Sequence, residues 1–204
     1  MTPAKRLVDL TLALILTLIL ALPFGLLLLW LWATEGRPLF YVAERMHGPD
    51  RPFLLWKLRT MSVVPPETGV SGGDKASRIT ATGRFLRRCR LDEVPQLWTV
   101  FKGDLSFVGP RPPLRRYVER FPDLYAQVLR SRPGITGLAT LIFHRHEEKM
   151  LAMCRDAAET DAVYSRRCVP RKACIDLIYQ RRRNLWMDFR LMAQTVARAL
   201  KLGK

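Results

Sequence analysis

LVDLTLALILTLILALPFGLLLLWLW occupies residues 7–32 and carries one charge, Asp9, and one proline, Pro23. At a helical rise of 1.5 Å per residue, roughly 20 residues suffice to cross a hydrocarbon core, so the run is long enough to span one. A cleaved signal peptide fits less well, because the apolar stretch is too long and no small-residue cleavage site follows Trp32. The flanks argue against a simple span. Lys5 and Arg6 precede the run while Arg37, Arg45, Arg51, Lys57 and Arg59 follow it, so the positive-inside tendency draws both ends to the cytoplasm. Pro23 offers a way to satisfy both flanks: a mid-helix proline removes a backbone hydrogen bond and crowds the preceding turn, and Phe24-Gly25 eases a bend. Two readings stay open on these residues alone. The segment is either a broken re-entrant helix that enters and leaves by one face, or a kinked transmembrane anchor, in which proline is also tolerated. Trp30 and Trp32 suit an interfacial depth in both.

Outward from this run the hydropathy falls, and no second stretch approaches a spanning length. Residues 34–204 read as one unit after a membrane segment at 1–33, and an apolar share of 49% is ample for a core. PLFYVAERMHG (38–48) and PFLLWKLRTM (52–61), with Gly-Pro-Asp between them, predict a short hairpin. VVPPETGVSGGDKAS (63–77) reads as a flexible loop. A helix is expected from Thr82-Gly83, with Phe85, Leu86 and Cys89 on one face and Arg84, Arg87, Arg88 and Arg90 on the other. Residues 113–134 look helical with an interruption at Pro122 and a turn at Pro133-Gly134. The C-terminal LWMDFRLMAQTVARAL is amphipathic and fits either an interfacial helix or a core-packing one. The fold class expected is α+β and mainly helical.

Charge narrows the partners. Against 34 Lys and Arg stand 18 Asp and Glu, a formal net charge of +16, which calls for an anionic partner: nucleic acid, an anionic membrane surface or a phosphorylated substrate. Cys89, Cys154, Cys168 and Cys174 contain no C-x-x-C pair, which points to a reduced environment rather than a disulfide scaffold. HRHEE (144–148) lacks the i, i+4 histidine spacing of a zinc helix and reads as a solvated loop or helix start.

In this basic chain RLDEVPQLW (90–98) sets Asp92 and Glu93 side by side. A helix is expected to begin near Asp92, with aspartate as N-cap and Pro95 in the first turn, where its missing N–H costs no bond. The positive end of the helix dipole, worth ~0.3–1 kcal/mol, and Arg87, Arg88 and Arg90 nearby would then both favour an ionised Asp92. Such a carboxylate can bind a divalent cation or attack phosphorus. The plainer alternative is that Asp92 caps the helix and Glu93 pairs with an arginine. GPRP (109–112) is a stiff mount for the Arg111 guanidinium, and KLRT (57–60) supplies Lys57 and Arg59 from a predicted strand. Cations on stiff supports around a carboxylate pair fit phosphoryl transfer.

At these residues the chain resembles the bacterial sugar transferases, the monotopic phosphoglycosyl transferases that start lipid-linked glycan assembly. The matching stretches are KRLVDL (5–10), Pro23 inside the apolar run, KLRTM (57–61), GDKASRITATGRFLRRCRLDEVPQLWTVFKGDLSFVGPRP (73–112), RPGITGLA (132–139) and DLIYQRRRNLWMDFRLM (176–192). The sequence departs from the family pattern at Thr140, where glutamine is usual, through LIFHRHEE after it, and at Leu22, where some members carry serine. The larger members' extra N-terminal membrane helices are not matched, so the chain reads as a minimal catalytic form.

The resemblance implies transfer of a sugar phosphate from a UDP-sugar to undecaprenyl phosphate, releasing UMP. By the family's mechanism Asp92 is the nucleophile that takes a covalent phospho-sugar, and Glu93 supports the metal or the proton balance. Mg²⁺ is the implied cofactor, with Asp92 and Glu93 as its carboxylates. Lys57, Arg87 and Arg111 match phosphate- or nucleotide-contacting positions, and Arg59 joins them as a candidate. The resemblance also selects the re-entrant reading, broken at Pro23, and a bacterial inner membrane location with the catalytic domain on the cytoplasmic face. UDP-sugar, undecaprenyl phosphate and membrane lipid are the expected partners, with no nucleic acid; a homodimer is left open. The competing reading is a non-catalytic, membrane-anchored basic protein that binds anionic lipid or nucleic acid, which leaves GPRP and the Asp-Glu pair without a role.

Overall fold

A computed structural model describes residues 1–62 and 78–202, with side chains to residue 199. The loop expected at 63–77 therefore lies outside the described residues. The fold is mainly helical with two small two-stranded sheets.

Helix α1 runs from Pro3 to Glu35. The Thr2 hydroxyl accepts from the Lys5 amide at 3.3 Å and Pro3 occupies the first turn, a favourable start. Gly36, at φ 65°, ends it with its N–H on the Trp32 carbonyl. Helical structure continues through Pro23 without interruption, so the break expected there is not an end of the helix. A helix this long measures about 50 Å. It is long and apolar enough to cross a membrane, and almost all of its apolar window faces outward.

Its two ends are nevertheless held by the residues that follow. Near the start, Lys5 Nζ lies 2.6 Å from Asp188 Oδ2, Arg6 donates to the Val100 and Phe101 carbonyls at 2.6 and 2.8 Å, and buried Asp9 sits 3.4 Å from the Phe107 amide. Near the finish, Leu31 packs with Leu58 and Leu86, and Arg59 donates to the Glu35 and Gly36 carbonyls at 2.9 and 3.3 Å.

The expected hairpin is β1 (Phe40–Gly48) and β2 (Arg51–Leu58), antiparallel, with Lys57 opposite Tyr41. Along β2 the alternation sends Phe53 and Leu55 inward and Leu54 and Trp56 outward, while Leu58 at the strand's end departs from it and is buried against Leu31 and Leu86. Helix α2 (Ala81–Cys89) begins slightly earlier than expected, because Thr80 caps it by accepting from the Gly83 amide. Its inward face is Gly83 and Leu86; Phe85 and Cys89, expected beside Leu86, are exposed. Gly83 permits this docking, since a Cβ there would lie 2.0 Å from the Thr60 carbonyl oxygen.

Helix α3 (Gln96–Lys102) leads to β3 (Ser106–Val108), then α4 (Arg115–Arg120) and α5 (Pro122–Val128). Pro122 opens α5, as the interruption implied. Gly134 starts a strand, β4 (Gly134–Thr136), that pairs in parallel with β3. The pairing brings backbones so close that a Cβ on Gly109, Gly134 or Gly137 would fall within 2.2 Å of another backbone atom. Helix α6 (Leu138–Ala152) absorbs HRHEE into its middle; among the described residues no cluster suits a metal. After α7 (Ala157–Val163) and a wide turn (Tyr164–Cys168) come α8 (Val169–Arg182) and α9 (Leu185–Leu202). The main core joins Ala13 of α1 to Leu55, Val100, Phe107, Leu141 and Leu191. Helix α9 buries Asp188 and Leu191 and exposes Trp186, Phe189 and Val196.

Asp188 links the first helix to the last, holding Lys5 through Oδ2 and the Tyr179 hydroxyl through Oδ1, both at 2.6 Å. Removing one member of a buried pair strands the other, at a cost of roughly 3–5 kcal/mol. Asp188→Ala should therefore unfold at a distinctly lower temperature in detergent, while Lys5→Met combined with Asp188→Leu should recover part of the loss. Calorimetry of the two variants checks this.

Candidate active site

Arg90 sets the local geometry. It sits in the left-handed region at φ 57°, ψ 21°, ends α2 and reverses the chain at once into a single 3-10 turn, Leu91–Glu93. That conformation costs an L-residue roughly 1–2 kcal/mol. The reading of Asp92 as an N-cap is corrected here: Asp92 is inside the turn and its carboxylate makes no capping bond, while α3 begins at Gln96 behind Pro95. No extended residue, as an N-cap requires, is left between the reversal and the turn.

The two carboxylates are treated oppositely. Glu93 is 10% exposed at its side chain and is gripped by three cations: Lys57 Nζ at 2.8 Å, Arg90, which hydrogen-bonds Oε2, and Arg111 Nη2 at 3.7 Å. Asp92 is 7% exposed and, among the described residues, its carboxylate accepts no hydrogen bond and forms no ion pair. The plainer expectation for Glu93, pairing with an arginine, is borne out.

Their proton affinities diverge accordingly. Burial opposes the Glu93 charge, but Lys57, Arg90 and Arg111 together outweigh it and hold its pKa well below the usual carboxylate range. For Asp92 burial comes first and the Glu93 charge second, and these outweigh Lys57, Arg90 and Arg87, so its pKa is raised. This is opposite in direction to the sequence-based expectation, which counted the arginines and omitted desolvation. Lys57 is itself lowered, chiefly by burial, with Glu93 pulling it back up.

The remaining site residues are carried by separate elements. Lys57 comes from β2, as expected. Arg87, on α2, is oriented by donating from Nε to the Thr60 hydroxyl at 2.9 Å. Arg111 projects from a loop that β4 pins in place: the Gly109 amide donates to Thr136 O at 2.9 Å and the Gly134 amide to Pro110 O at 2.8 Å. Its guanidinium is 43% exposed and, among the described residues, has only the Glu93 contact. Arg59 does not join this group. It clamps the end of α1, so the structure does not bring it to the carboxylates. Arg90 was counted among the nearby arginines but not as a site residue; its i, i+3 spacing to Glu93 and its place where glycine or asparagine would normally end a helix were the signals.

Pro23 is near the site in another sense, lining an apolar groove with Leu91 and Val94, which bracket the carboxylate pair. A second perturbed acid, Asp176 on α8, is pushed up to about 7 by burial, against the lowering effects of Lys172 and the Ala139 backbone.

The chain matches the family described as "Bacterial sugar transferase" over residues 1–202. It is 39% identical over 139 residues to "Uncharacterized sugar transferase EpsL" of Bacillus subtilis, 67% of this chain and of that relative. To a "Putative undecaprenyl-phosphate N-acetylgalactosaminyl 1-phosphate transferase" of the same organism it is 41% identical over 124 residues, 58% of this chain and 67% of that one. With the "UDP-glucose:undecaprenyl-phosphate glucose-1-phosphate transferase" of Klebsiella pneumoniae it shares 32% identity over 197 residues, 94% of this chain but only 39% of the relative.

The raised Asp92 pKa has a thermodynamic sign. An acid that holds its proton more tightly when folded loses stability as pH rises from the ordinary aspartate range, ~3.9, to its folded pKa, and the penalty is complete above it. Asp92→Asn should thus melt above the parent at pH 7, about 2–4 °C for each kcal/mol relieved in a chain of this size. The gap should close as pH falls toward 4. Thermal melts across that range check both statements.

Proposed function

Because the chain belongs to the bacterial sugar transferase family, matched from residue 1 to residue 202, we propose that it moves a sugar 1-phosphate from a UDP-sugar to undecaprenyl phosphate. The observation that carries this reading is the buried, unpartnered Asp92 beside a Glu93 that three cations already occupy. A carboxylate with free lone pairs and a raised pKa is the better nucleophile of the two. One oxygen of Asp92 attacks the phosphorus that bears the sugar; the bond from that phosphorus to the bridging oxygen breaks, and UMP departs with the electron pair. An oxygen of undecaprenyl phosphate then attacks the same phosphorus. The aspartyl bond breaks, the Asp92 carboxylate is restored, and polyprenyl diphosphate sugar is released. Arg111, half exposed and not saturated by Glu93, together with Arg87 meets the charge of the incoming diphosphate.

Mg²⁺ takes one or two carboxylates plus substrate phosphate oxygens, keeping several waters. Asp92 fits that habit. Glu93 fits it only by giving up Lys57 or Arg90, since both of its oxygens are engaged. The metal would supply charge neutralisation on the diphosphate, held on the protein side by Asp92.

Both ends of α1 bond to the part of the chain that follows it: Lys5 and Arg6 to Asp188 and Val100–Phe101, Glu35 and Gly36 to Arg59 and Thr80. Opposite faces of a bilayer about 30 Å thick are hard to reconcile with those ties. They support a re-entrant α1 whose two ends share one face, and the basic residues on both flanks, Lys5, Arg6, Arg37 and Arg45, favour the cytoplasmic face of the bacterial inner membrane for them and for residues 34–204.

In detergent with undecaprenyl phosphate, Asp92→Asn should lower UMP release from the preferred UDP-sugar by about 10³-fold or more; release at the parent rate would refute the assignment. For topology, Ala4→Cys and Ala33→Cys, each with the exposed Cys89 and Cys174 changed to serine, should react with a membrane-impermeant maleimide from the cytoplasmic side in inverted vesicles. Labelling of the two from opposite sides would restore the transmembrane anchor.

A further inference from the structure

HRHEE (144–148) lies on α6, and α6 is built onto the loop that carries Arg111. The backbone of Gly137, where the helix starts, packs so closely on that loop that a Cβ there would fall 2.1 Å from the Gly109 carbonyl oxygen. The Leu141 amide donates back to the Gly137 carbonyl at 3.0 Å, so the direction of α6 is fixed relative to Gly109-Pro110-Arg111. Thr140, His144, Glu147 and Glu148 recur at helical spacing and share one side of the helix. The charges of Arg111 and Arg90 both act on the His144 ring, which sets this side of α6 against the cations gathered at Glu93. Its two glutamates differ. Glu147 is turned to α8, where its two oxygens accept from Lys172 Nζ at 3.1 and 2.9 Å. His144 and Glu148 lie 3.3 Å apart with side chains 55% and 63% exposed, and among the described residues neither makes a hydrogen bond. Partial burial, joined by Arg111 and Arg90 and opposed by Glu148 and Glu147, holds the His144 pKa below its ordinary value. The ring is therefore neutral at pH 7, with one donor and one acceptor nitrogen.

We propose that His144 and Glu148 read the hydroxyls of the donor's sugar ring and select a neutral sugar over a uronic acid. The inference rests on the transferase reading above and deepens it from reaction to substrate class. Three features favour this occupant. Arg111 meets the diphosphate, and the sugar is joined to that diphosphate through its anomeric oxygen, so a ring beside Arg111 reaches α6. The uridine stands one phosphate farther from Asp92, whereas His144 feels Arg90, the residue that holds the neighbour of Asp92. A free carboxylate next to a neutral imidazole suits hydroxyl groups, which donate to Glu148 and exchange donor and acceptor roles with His144. A phosphate or a uronate carboxylate in the same place would meet Glu148 as like charge to like charge, which is how a site rejects the wrong ligand. The pair stands in the stretch where the sequence departs from the family pattern, as Thr140 does one helical turn before His144.

His144→Ala and Glu148→Ala, both at exposed positions, should each lower kcat/KM for the preferred neutral UDP-sugar by roughly tenfold, the consequence of losing one hydrogen-bonding partner. The KM for undecaprenyl phosphate and the inhibition by UMP should stay at the parent values. On a set of donors each lacking one sugar hydroxyl, the parent should lose a similar factor with the donor whose missing hydroxyl is the one read by Glu148. Glu148→Ala should lose nothing further with that donor. Glu148→Lys should raise the use of UDP-glucuronate relative to the neutral donor by roughly tenfold. As a readout apart from turnover, calorimetric titration of Asp92→Asn should show UDP-sugar affinity falling when His144→Ala or Glu148→Ala is added, with UDP affinity unchanged. Unchanged donor preference in both variants would overturn the proposal, as would a parent that prefers UDP-glucuronate. So would equal loss on every donor, which would make the pair a support of the Arg111 loop, or weakened binding of UDP and UMP, which would move the pair to the nucleotide. Absence of UMP release from the parent with every UDP-sugar is a different failure: it overturns the transferase reading, whereas a selective loss of UDP-sugar affinity would still assign the sugar contact to α6.

Discussion

Glu93 gathers three cations that come from three different elements: Lys57 from the hairpin, Arg90 from the residue that ends α2, and Arg111 from the loop between β3 and α4. Cations so close together repel one another, and burial penalises each of them, so their convergence needs a buried anion. The left-handed Arg90 makes sense in this light. Its backbone cost is offset by a guanidinium held against Glu93, and the same reversal starts the turn that contains Asp92. Hairpin, arginine-rich helix and GPRP loop are thus joined at one side chain, in addition to the backbone contacts of Thr60 with α2 and of the loop with β4.

The same clamp explains why Asp92 stays unpartnered in a chain of net charge +16. The cations nearest to it are committed to its neighbour. Glu93 also adds a negative charge beside Asp92, which with burial raises the proton affinity of the second carboxylate while its own is lowered. Two adjacent acids of similar ordinary pKa are driven apart by their surroundings, Glu93 held as the anion of a three-cation cluster and Asp92 left holding its proton more tightly.

Much of this was legible in the residues. The long apolar helix, the hairpin at 38–61, the pause at Pro122 and the amphipathic last helix follow from hydropathy, turn chemistry and periodicity. Charge and loop stiffness brought KLRT, the arginines at 87–90 and Arg111 to the carboxylate pair, and the family resemblance singled out Lys57, Arg87 and Arg111 among them. The rest depends on contacts distant in sequence. The parallel pairing of β3 with β4 joins three-residue strands that are too short to show a period, and their glycines are explained only by the backbone against which they pack. Arg59 looked equivalent to Lys57, two residues earlier, but it stands beyond the end of β2 and meets the terminus of α1. The Asp92 shift was misread because desolvation cannot be counted without knowing what covers the side chain.

The depth of Asp92 relative to the bilayer follows from how its turn is attached. Leu91 packs with Phe24, Leu27, Leu28 and Leu31 of α1, and Val94 faces the same helix. The turn that carries Asp92 is therefore mounted on the membrane helix through its own flanking residues rather than on a mobile arm. Burying an unpaired carboxylate costs stability, and an apolar neighbour increases that cost. That cost sets Asp92 apart from Glu93: it stands unpaired among the described residues beside an apolar groove, while Lys57 and Arg90 are engaged by its neighbour, and this is the arrangement on which the proposed reaction of a water-soluble phosphate ester and a lipid phosphate at one carboxylate rests.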